Sequence, residues 1–498
     1  MTGAGVITTG IFVLPGIRQR LFKSKTWKVE THTSLVDNAI IDYLPETIPY
    51  LIIGGGAASF AAVRSIRSND PKAKVVVITD EPYTPYMKPP LTKEIWFTPP
   101  EIASTLNFRQ YDGRDRPLSF EKDEFYFPLN KLMSRETGGV TVLSRQKVYK
   151  IDPRKQVVFL ENGQSVGYEK CLLATGGQPK THPVIDAAPQ AVKDHVTMYR
   201  KASDFLKLLQ VVEAASAAND KRTIAIIGGG FLGSELACSL GRRSKGTGLK
   251  VVQVLPEHGN LHSVLPEYLS RWVTDKIREE SVTVIPETDI IGAKKLSNGR
   301  LALTLSSGET LEADHAVVAV GLSPQVDIAQ TSGLETHPDL GGFVVNGEME
   351  ARSNLWVAGD ASCFFDSQLG RRRRVEHHDH AIVTGRLSGE NMTGAKKEFQ
   401  HQSMFWSDLG PEIGFEAVGH IDSSLETVGV FQQKDDSKPD YSRGLVFYLD
   451  PKSKRIQGIL LWNVFNRIRL ARRVIRDLKQ HDDLSEVAKL FAIYSSDE

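Results

Sequence analysis

The sequence predicts an α/β protein with two Rossmann-like dinucleotide-binding domains, followed by a C-terminal α+β domain. Two glycine-rich turns, Gly54–Ser59 and Gly228–Gly233, carry the first part of this prediction. Each turn follows a short apolar run and leads into a helical segment, in the order strand, tight turn and helix. Backbone N–H groups at such a helix start point toward a pyrophosphate. Because one chain holds two such turns, we expect two bound dinucleotides and electron transfer between them.

The composition is that of a globular protein with several domains. At 498 residues the chain is too long for one hydrophobic core, and its formal net charge of +1 creates no overall field that would attract nucleic acid or an anionic membrane. Cys171, Cys238 and Cys363 are far apart, which argues against a disulfide framework or a cysteine zinc site. We predict buried free thiols and no metal site.

Residues 1–44 are basic and are excluded from the predicted fold. The apolar run Val6–Ile17 is shorter than the roughly 20 residues that a membrane-spanning helix needs. A basic start with few acids is typical of an organelle transit segment or of the flank of a short anchor, and a disordered tail is the alternative.

The first unit continues through a predicted helix, Phe60–Ser68, into a buried strand, Lys74–Thr79. The proline-rich segment Pro82–Pro100 must be an ordered loop or a lid, because proline removes backbone donors and restricts φ. Leu172–Gly177 closes this unit as a strand that runs into a glycine turn.

The second unit repeats this order. Its second strand is Leu249–Leu255 and its closing strand is Val317–Gly321, and Asn354–Asp360 is a further strand with an acid at its carboxyl end. From about residue 402 the pattern predicts strands followed by helices, with strands at Thr427–Gln432, Gly444–Leu449 and Ile456–Trp462 and a helix from about Arg467.

An acid ends the second strand of both units. Asp80, with Glu81 beside it, and Glu257 stand at similar distances after their turns. A carboxylate there accepts hydrogen bonds from both hydroxyls of an adenosine ribose, and a solvated acid in a turn is the alternative. Glu257 would also repel a 2′-phosphate and has no arginine beside it, so NADH is favoured over NADPH.

Ala174–Gly176 and Trp356–Asp360 resemble segments of the two-dinucleotide flavoproteins related to glutathione reductase. The resemblance implies that the first turn binds FAD and that Asp360 lies at the ribityl and phosphate end of the flavin. Relatives with a redox dithiol carry it on the helix after the first turn, but Phe60–Ser68 has no cysteine. We therefore expect the flavin to pass electrons directly to a quinone, a protein centre or oxygen.

A narrower resemblance lies in four blocks, Pro85–Glu94, Phe231–Leu236, Val375–His380 and Met404–Gly410. From about residue 48 to its C-terminus the chain resembles the mitochondrial apoptosis-inducing factor family. With the first turn and its acids, the implied FAD contacts are Gly54, Gly55, Gly56, Ala57, Ala58, Asp80, Glu81, Lys88, Lys93, Val148, Arg200, Asp360, His377, His378 and Trp406. With the second turn, the implied NAD contacts are Gly230, Phe231, Leu232, Gly233, Glu235, Glu257, Gly321, Glu376, Glu416 and Asn466.

The predicted domains follow from this reading. They are a targeting, anchor or disordered segment (1–44), an FAD-binding domain in two parts (45–177 and 323–401), an NAD-binding domain (178–322) and the C-terminal domain (402–498). Tyr111 and Ser263 stand where animal members have tryptophan and lysine, and the loop Gln432–Ser442 is shorter than in vertebrate members. A second, stacked nicotinamide site is therefore left open.

Lys93 and Glu235 are predicted as the catalytic pair. Hydride arriving at a flavin places negative charge on the ring, which a nearby ammonium group stabilises, and a carboxylate within about 4–6 Å keeps that lysine charged and oriented. A plain surface ion pair is the alternative. His377 and His378 could form a metal pair, but no carboxylate or cysteine spacing completes such a site, so flavin contact or interface packing is predicted.

Two basic features of the sequence are not part of the predicted cofactor sites. One is Arg371–Arg374. The other is a predicted face of the last helix, formed by Arg469, Arg472, Arg473, Arg476 and Lys479 opposite the apolar residues Ile468, Ala471, Val474, Ile475 and Leu478. A solvated face is the simple interpretation. The resemblance implies DNA binding without sequence preference, through phosphate contacts, and dimerisation in which Arg371–Arg374 takes part.

The resemblance implies a mitochondrial, FAD-dependent NADH oxidoreductase of slow turnover that forms a long-lived charge-transfer complex of reduced flavin and NAD. It also implies a homodimer on flavin reduction, an inner-membrane location in the intermembrane space, a partner in the import and assembly of proteins there, and nuclear translocation in cell death. Two alternatives stay open: a turnover reductase of the monodehydroascorbate or ferredoxin type, and an NADH-sensing signalling or DNA-binding module.

Overall fold

The first sheet places the first glycine turn at the carboxyl end of a central strand. The computed structural model describes residues 40–110, 112–217, 221–432, 441–477, 479–481 and 483–493. The strand before the turn, Thr47–Ile53, is parallel to both of its neighbours, and covered parallel strands require apolar runs such as Leu51–Ile53. In spatial order the strands are Glu350–Arg352, Leu355–Val357, Ser165–Leu173, Thr47–Ile53, Lys74–Ile78 and Gly139–Leu143, with Val157–Leu160 beside Ser165–Leu173 and Val148–Asp152 beside Val157–Leu160.

The helix after the first turn, Ala57–Asn69, packs closely against the helix His378–Met392. Glycine permits this approach, since a Cβ atom at Gly385 would lie 2.2 Å from the carbonyl oxygen of Ala58. This packing joins two segments far apart in sequence and brings the start of the second helix near the first turn.

The second sheet repeats the arrangement around the second turn. Its five strands are all parallel and run in the order Val196–Met198, His315–Val318, Arg222–Ile227, Leu249–Val254 and Val282–Ile285. The helices Ala202–Ala217, Phe231–Ser244 and Glu267–Glu279 belong to this part of the chain. An antiparallel sheet of Ile290–Lys295, Leu301–Leu305 and Thr310–Ala313 follows. The predicted closing strand Val317–Gly321 ends earlier, at Val318, because the chain turns there toward Gly321, where φ is +111°.

Beyond residue 402 the chain forms an antiparallel sheet. Its strands run in the order Met404–Leu409, Ile413–Gly419, Ile456–Trp462, Gly444–Leu449 and Glu426–Phe431. The helices Ile468–Arg476 and Leu484–Lys489 follow. Sequence reasoning predicted three of these strands and missed Met404–Leu409 and Ile413–Gly419. Met404–Leu409 shows no alternation of polar and apolar residues, since Ser407 and Asp408 are adjacent, and Gly410 and Pro411 lie in the turn that follows it.

The proline-rich segment is an ordered loop, as predicted. It contains two short 3₁₀ turns, Pro89–Thr92 and Glu94–Phe97, and then the short helix Pro100–Ala103. The carbonyl oxygen of Leu91 accepts hydrogen bonds from Trp96 Nε1 (2.8 Å) and from the Tyr199 hydroxyl (2.5 Å). The bond from Trp96 is internal to the loop, and the bond from Tyr199 holds the loop against a later part of the chain.

The remaining elements are short. The paired strands are Asn107–Arg109 with Asp115–Pro117, Gly177–Pro179 with Leu322–Pro324, and Phe343–Val344 with Ser362–Asp366 and Arg371–Arg373. The helices are Leu129–Ser134, Pro183–Asp186, Gln190–Lys193 and Ile328–Ser332. Two 3₁₀ turns lie at Asp123–Phe125 and Gly359–Ala361. Among the described residues, every helix is too short or too polar to cross a bilayer. The predictions for residues 1–39, for Tyr111, for Leu478 and for most of the loop Gln432–Ser442 lie outside those residues.

Candidate nucleotide-binding site

The two glycine turns have the same backbone geometry. Gly54 has φ +114° and Gly228 has φ +115°. A Cβ atom at Gly54 would lie 2.1 Å from the carbonyl oxygen of Ala174, and one at Gly228 would lie 2.4 Å from that of Ala319. Each turn therefore requires glycine twice over, for its left-handed backbone and for its close approach to a neighbouring strand end.

The third glycine of each turn borders open space. A Cβ atom at Gly56 or Gly230 would meet no atom within 4 Å. Both residues precede the first residue of a helix, where unpaired N–H groups face outward. A phosphate group fits such a cradle, and the two turns form two of them.

Both turns open into one cleft of about 510 Å³. The predicted site residues that line this cleft are Gly56, Ala57, Ala58, Lys88, Lys93, Arg200, Gly230, Phe231, Leu232, Glu235, Gly321, Asp360, Glu376, His377, His378 and Trp406. The residues come from the turns, helices and loop around the first two sheets and, through Trp406, from the C-terminal sheet. A single cleft therefore joins the predicted FAD and NAD contacts.

The other predicted residues lie around this cleft rather than in it. A smaller cavity of about 70 Å³, beside the first turn, is lined by Gly54, Asp80 and Val148. Outside both cavities are Gly55, Glu81, Gly233, Glu257, Glu416 and Asn466. Gly55 packs against Thr79 and Asn466 is exposed, so the structure brings neither of them to the lining.

Lys93 and Glu235 form a buried ion pair in the large cleft. Lys93 Nζ lies 2.7 Å from Glu235 Oε2, and both residues are less than a tenth exposed. This burial is inconsistent with the alternative of a plain surface ion pair. Thr92 and Ser407 also donate hydrogen bonds to Glu235, and sequence reasoning missed both because a single serine or threonine has no distinguishing spacing.

A second group of charges surrounds Lys88. Its Nζ lies 3.1 Å from Glu81 Oε1, and the Tyr86 hydroxyl donates to the same carboxylate at 2.6 Å. Burial would raise the pKa of Glu81, but Lys88 and Lys201 together lower it. Lys201 also pairs with Asp80 at 3.1 Å, so the predicted ribose acid is oriented by a lysine that sequence reasoning missed.

Arg200 and Asp360 meet from opposite parts of the cleft. Arg200 Nη2 donates a hydrogen bond of 2.6 Å to Asp360 Oδ2. The Nε of Arg200 is buried and has no partner among the described residues, so it can still donate to a bound group. Asp360 follows Gly359, which has φ +71° and ends the strand Leu355–Val357. The predicted strand Asn354–Asp360 is thus shorter, and its acid stands on a 3₁₀ turn.

The histidine pair packs among aromatic rings. The ring of His377 stacks on Phe405 with centroids 4.5 Å apart and meets Phe231 edge-on, while His378 meets Trp406 edge-on. Burial lowers the pKa of His377 to about 4, so this ring is neutral near pH 7. Across the described ranges no three histidine, cysteine or acidic side chains form a metal-ligating group.

Glu416 and Trp406 are opposite partners on adjacent strands. The Oε2 atom of Glu416 is buried and without a hydrogen-bond partner among the described residues. Burial and the neighbouring Asp408 raise the pKa of Glu416. A carboxyl oxygen left unpaired in this way can accept a hydrogen bond from a hydroxyl or amide of a ligand.

The predicted basic face of the last helix is wrong at Arg472. This side chain turns inward: its Nε donates to the carbonyl oxygen of Gln402 at 3.0 Å, and an Nη group lies 3.7 Å from Asp379. In this position Arg472 shares the half-buried carboxylate of Asp379 with His401, whose Nε2 lies 2.8 Å from Asp379 Oδ2. Arg469, Arg473, Arg476 and Lys479 are exposed.

The run Arg371–Arg374 is also engaged within the chain. Arg372 donates to the carbonyl oxygens of Val345 and Cys363, and Arg373 pairs with Asp366 at 2.9 Å. Arg374 pairs with Glu376. Arg371 alone of the four is exposed.

The three cysteines are buried and free. Burial raises the pKa of the Cys238 thiol to about 12 and raises that of the Cys171 thiol further. None of the residues that line the large cleft in the described part of the chain is a cysteine. The site thus offers two dinucleotide cradles and a charged pair between them, without a thiol.

Three comparisons with known proteins show what this chain is similar to. Residues 48–385 match the pyridine nucleotide-disulphide oxidoreductase family, and residues 388–439 and 432–477 match the C-terminal family of mitochondrion-associated apoptosis-inducing factor. The chain is 48% identical over 499 residues to the putative apoptosis-inducing factor 1, mitochondrial, of Drosophila melanogaster, with 91% of this chain and 66% of that protein covered. It is 36% identical over 454 residues to the apoptosis-inducing factor 1, mitochondrial, of Dictyostelium discoideum, with 90% of this chain and 81% of that protein covered.

Among solved structures, the fold is similar to the crystal structure of a covalent putidaredoxin reductase–putidaredoxin complex. The TM-score is 0.72 at 21% identity, with 92% of this chain and 100% of that chain covered. The chain spans slightly less than two thirds of the length of the Drosophila relative.

The shared cleft and its two cradles define a two-dinucleotide flavoprotein oxidoreductase. Members of this class use FAD and a nicotinamide nucleotide. Within that class, the chain belongs to the apoptosis-inducing factor family of pyridine nucleotide-disulphide oxidoreductases.

Proposed function

We propose that this chain is a mitochondrial NADH oxidoreductase that passes hydride from NADH to a bound FAD and turns over slowly. The observation that carries this proposal is the buried Lys93–Glu235 pair in a cleft into which both glycine turns open. The position of the pair between the two cradles is where a nicotinamide and a flavin would meet. The mitochondrial location rests on the names of the two relatives.

The residues fit the two nucleotides by their chemistry. FAD would be held by Gly54–Ala58, by Asp80 at its ribose and by Lys88, Arg200 and Asp360 around its phosphates and ribityl chain. NADH would be held by Gly230–Gly233, by Glu257 at its ribose and by the cleft residues Gly321 and Glu376. When bound, FAD supplies a two-electron acceptor for hydride.

The side chains of the cleft prepare it for a negative charge. Lys93 holds a positive charge in a site shielded from water, where an ammonium group stabilises nearby negative charge more strongly than it does in bulk solvent. Glu235 balances that charge before substrate arrives and orients the ammonium group. The neutral rings of His377 and Phe405 form an apolar wall that excludes water.

The proposal of slow turnover is supported by the lack of a cysteine among the described residues that line the cleft. The cysteines are buried and protonated, so they cannot relay electrons in the way a redox dithiol does. We propose that reduced flavin and NAD stay together as a charge-transfer complex and that reduction promotes a homodimer. Respiratory-chain maintenance through intermembrane-space import, and cell death after release to the nucleus, are the family roles that go with this proposal.

Anaerobic stopped-flow reduction with NADH tests the central step. Wild-type protein should show flavin reduction followed by a long-wavelength charge-transfer band. Glu235→Ala should slow reduction by about ten-fold or more while FAD stays bound, because Lys93 loses its anchor. Glu94→Ala, an exposed acid on the same loop, is the matched control. Equal rates in wild type and Glu235→Ala would refute the assignment of the pair.

Two alternatives predict different behaviour in the same preparation. A reductase of the monodehydroascorbate or ferredoxin type would show rapid steady-state turnover with such an acceptor. An NADH-sensing module would form dimers with NADH and show negligible turnover with any acceptor. Sizing in solution, with and without NADH, separates the two.

DNA binding stays a prediction from the resemblance. The available cations are Arg371 and the exposed arginines of the last helix, since the other arginines of the run are paired within the chain. Binding through phosphates would weaken steeply as salt rises. Retention that does not change across a salt series would exclude it.

A further inference from the structure

Three donors from separate parts of the chain converge on the carboxylate of Glu235. Its Oε2 accepts hydrogen bonds from the Lys93 ammonium at 2.7 Å and from the Thr92 hydroxyl at 2.5 Å. Its Oε1 accepts one from the Ser407 hydroxyl at 2.7 Å. Thr92 and Lys93 lie in the proline-rich loop, Glu235 in the helix Phe231–Ser244, and Ser407 in the strand Met404–Leu409 of the C-terminal sheet.

All of these groups are buried. Ser407 is 0% exposed, Thr92 7% and Glu235 6%. A carboxylate in such surroundings is costly unless hydrogen bonds replace its lost hydration, and hydrogen bonds to an ionised acceptor are stronger than those between neutral groups. Thr92 is itself fixed, since its carbonyl oxygen accepts a hydrogen bond of 2.7 Å from Ser239 of the same helix.

Ser407 stands on an otherwise apolar face of its strand. Side chains alternate along Met404–Leu409, and the buried positions are Phe405, Ser407 and Leu409. A hydroxyl between two apolar neighbours has no solvent to bond with. It donates a hydrogen bond to Glu235, a residue that lies 172 positions earlier in the chain.

We propose that Ser407 and Thr92 are positioning residues for the Lys93–Glu235 pair, so that the C-terminal sheet completes the reaction site. Each oxygen of the carboxylate is held by a hydroxyl, and the two bonds together prevent the carboxylate from rotating about its Cγ–Cδ bond. Glu235 then presents Oε2 to Lys93 in one orientation. The inference rests on the proposed function, because it assigns a role toward the same charged pair.

The first test measures how firmly Lys93 is held in the FAD-loaded protein. Ser407→Ala and Thr92→Val each remove one hydroxyl with little change of shape. Ser388→Ala is the matched control, because Ser388 is fully buried and its hydroxyl has no partner among the described residues. Lysine labelling by an amine-reactive anhydride, followed by mass spectrometry, gives the rate at Lys93 relative to Lys88 in the same molecule.

Ser407→Ala should raise the Lys93-to-Lys88 labelling ratio several-fold, and Ser388→Ala should leave it unchanged. Stopped-flow reduction should show a limiting rate that falls about ten-fold in Ser407→Ala, with little change in the apparent affinity for NADH, because the loss of one charge-assisted hydrogen bond corresponds to roughly that factor. Ser407→Cys keeps a weak donor, so its labelling ratio and its limiting rate should lie between those of wild type and Ser407→Ala.

An unchanged labelling ratio together with an unchanged limiting rate in Ser407→Ala would overturn the inference. So would an equal effect of Ser388→Ala, since that result would indicate a general loss of packing. If Ser407→Ala does not fold, Thr92→Val and Ser407→Cys carry the same comparison. If Glu235→Ala leaves the rate of flavin reduction unchanged while Ser407→Ala still raises the Lys93-to-Lys88 labelling ratio, the proposed function is refuted. The positioning role of Ser407 is then still supported.

Discussion

The hydroxyl of Ser59 donates a hydrogen bond of 2.6 Å to the carbonyl oxygen of Gly54. Ser59 occupies the position that Gly233 has in the second turn. A Cβ atom at Gly233 would lie 2.3 Å from the carbonyl oxygen of Gly228. The first turn therefore accommodates a side chain at Ser59, whereas the second turn has no space for one at Gly233. In the first turn, the serine hydroxyl replaces the close contact with a hydrogen bond.

This difference predicts opposite tolerance at equivalent positions. Ser59→Ala should lower the free energy of unfolding by only about 1 kcal/mol, the usual net value of one hydrogen bond. Gly233→Ala should lower the free energy of unfolding by several kcal/mol or displace the turn, and it should weaken NADH binding strongly. Denaturant unfolding and NADH titration of the two variants measure both effects. A Gly233→Ala protein as stable as Ser59→Ala would contradict the interpretation of the second turn.

Glu257 is predicted to select NADH over NADPH. Glu257→Gln keeps the length of the side chain and removes the charge that would repel a 2′-phosphate. The ratio of NADPH to NADH efficiency in flavin reduction should rise by about ten-fold. Glu287→Gln, an acid on the neighbouring chain segment whose N–H donates to the Glu257 carbonyl, is the control. No change in the ratio would indicate that Glu257 lies too far from the ribose.

Breaking the Arg200–Asp360 pair should loosen FAD. The two side chains are 21% and 11% exposed, so Asp360→Asn leaves a poorly hydrated guanidinium without its counter-charge. We expect a loss of about 2–4 kcal/mol in stability and release of flavin on dilution, because removal of one partner from a buried pair is costly. Glu121→Gln breaks the Arg64–Glu121 pair, whose arginine is 63% exposed, and should change stability by less than about 1 kcal/mol. Flavin fluorescence reports the release.

Acid should destabilise the protein through its buried histidines. Burial lowers the pKa of His315 and of His380 to about 3, below the usual value of 6.5. The unfolded chain therefore binds more protons between these values, so this stability is present above about pH 6.5 and is lost as the pH falls toward 3. Between pH 7 and pH 5, each such histidine should lower the free energy of unfolding by about 2 kcal/mol.

Substitution separates His315 from the other groups. His315→Gln keeps a partner for the Thr197 hydroxyl, which lies 2.8 Å from the ring, and cannot become charged. The difference in unfolding free energy between pH 7 and pH 5 should shrink in His315→Gln and stay as in wild type in the control His481→Gln. An unchanged difference in His315→Gln would show that His315 is not responsible.

Local patterns were enough for the elements that build the two cradles. The parallel strands Thr47–Ile53 and Arg222–Ile227 end in apolar runs because both faces of the sheet are covered there, and the glycines after them are required by a left-handed backbone. These constraints act within a few residues, so a single sequence displays them. The absence of a cysteine in the helix after the first turn can likewise be read directly from a short stretch of sequence.

Patterns were less informative where one face of an element meets another part of the chain. The strand Met404–Leu409 was missed as an element although its residues were singled out as a block, and Arg472 was placed on the solvent side although it pairs with Asp379. Helical periodicity separates charged from apolar positions, but it does not show which charged position meets an acid on a neighbouring element. That choice depends on the neighbouring element.

The sequence by itself determined the class of fold and the two glycine turns, because each is encoded in short runs of residue types, and it offered Lys93 and Glu235 as a candidate pair through two separate blocks that resemble the family. The tertiary structure alone decided the partners of the site's carboxylates: Thr92 on one oxygen of Glu235, Ser407 on the other, Lys201 on Asp80 and Arg200 on Asp360. These partners are up to 172 residues apart in the chain. A hydrogen bond depends on positions in space, and only folding brings such distant donors and acceptors to about 3 Å from each other.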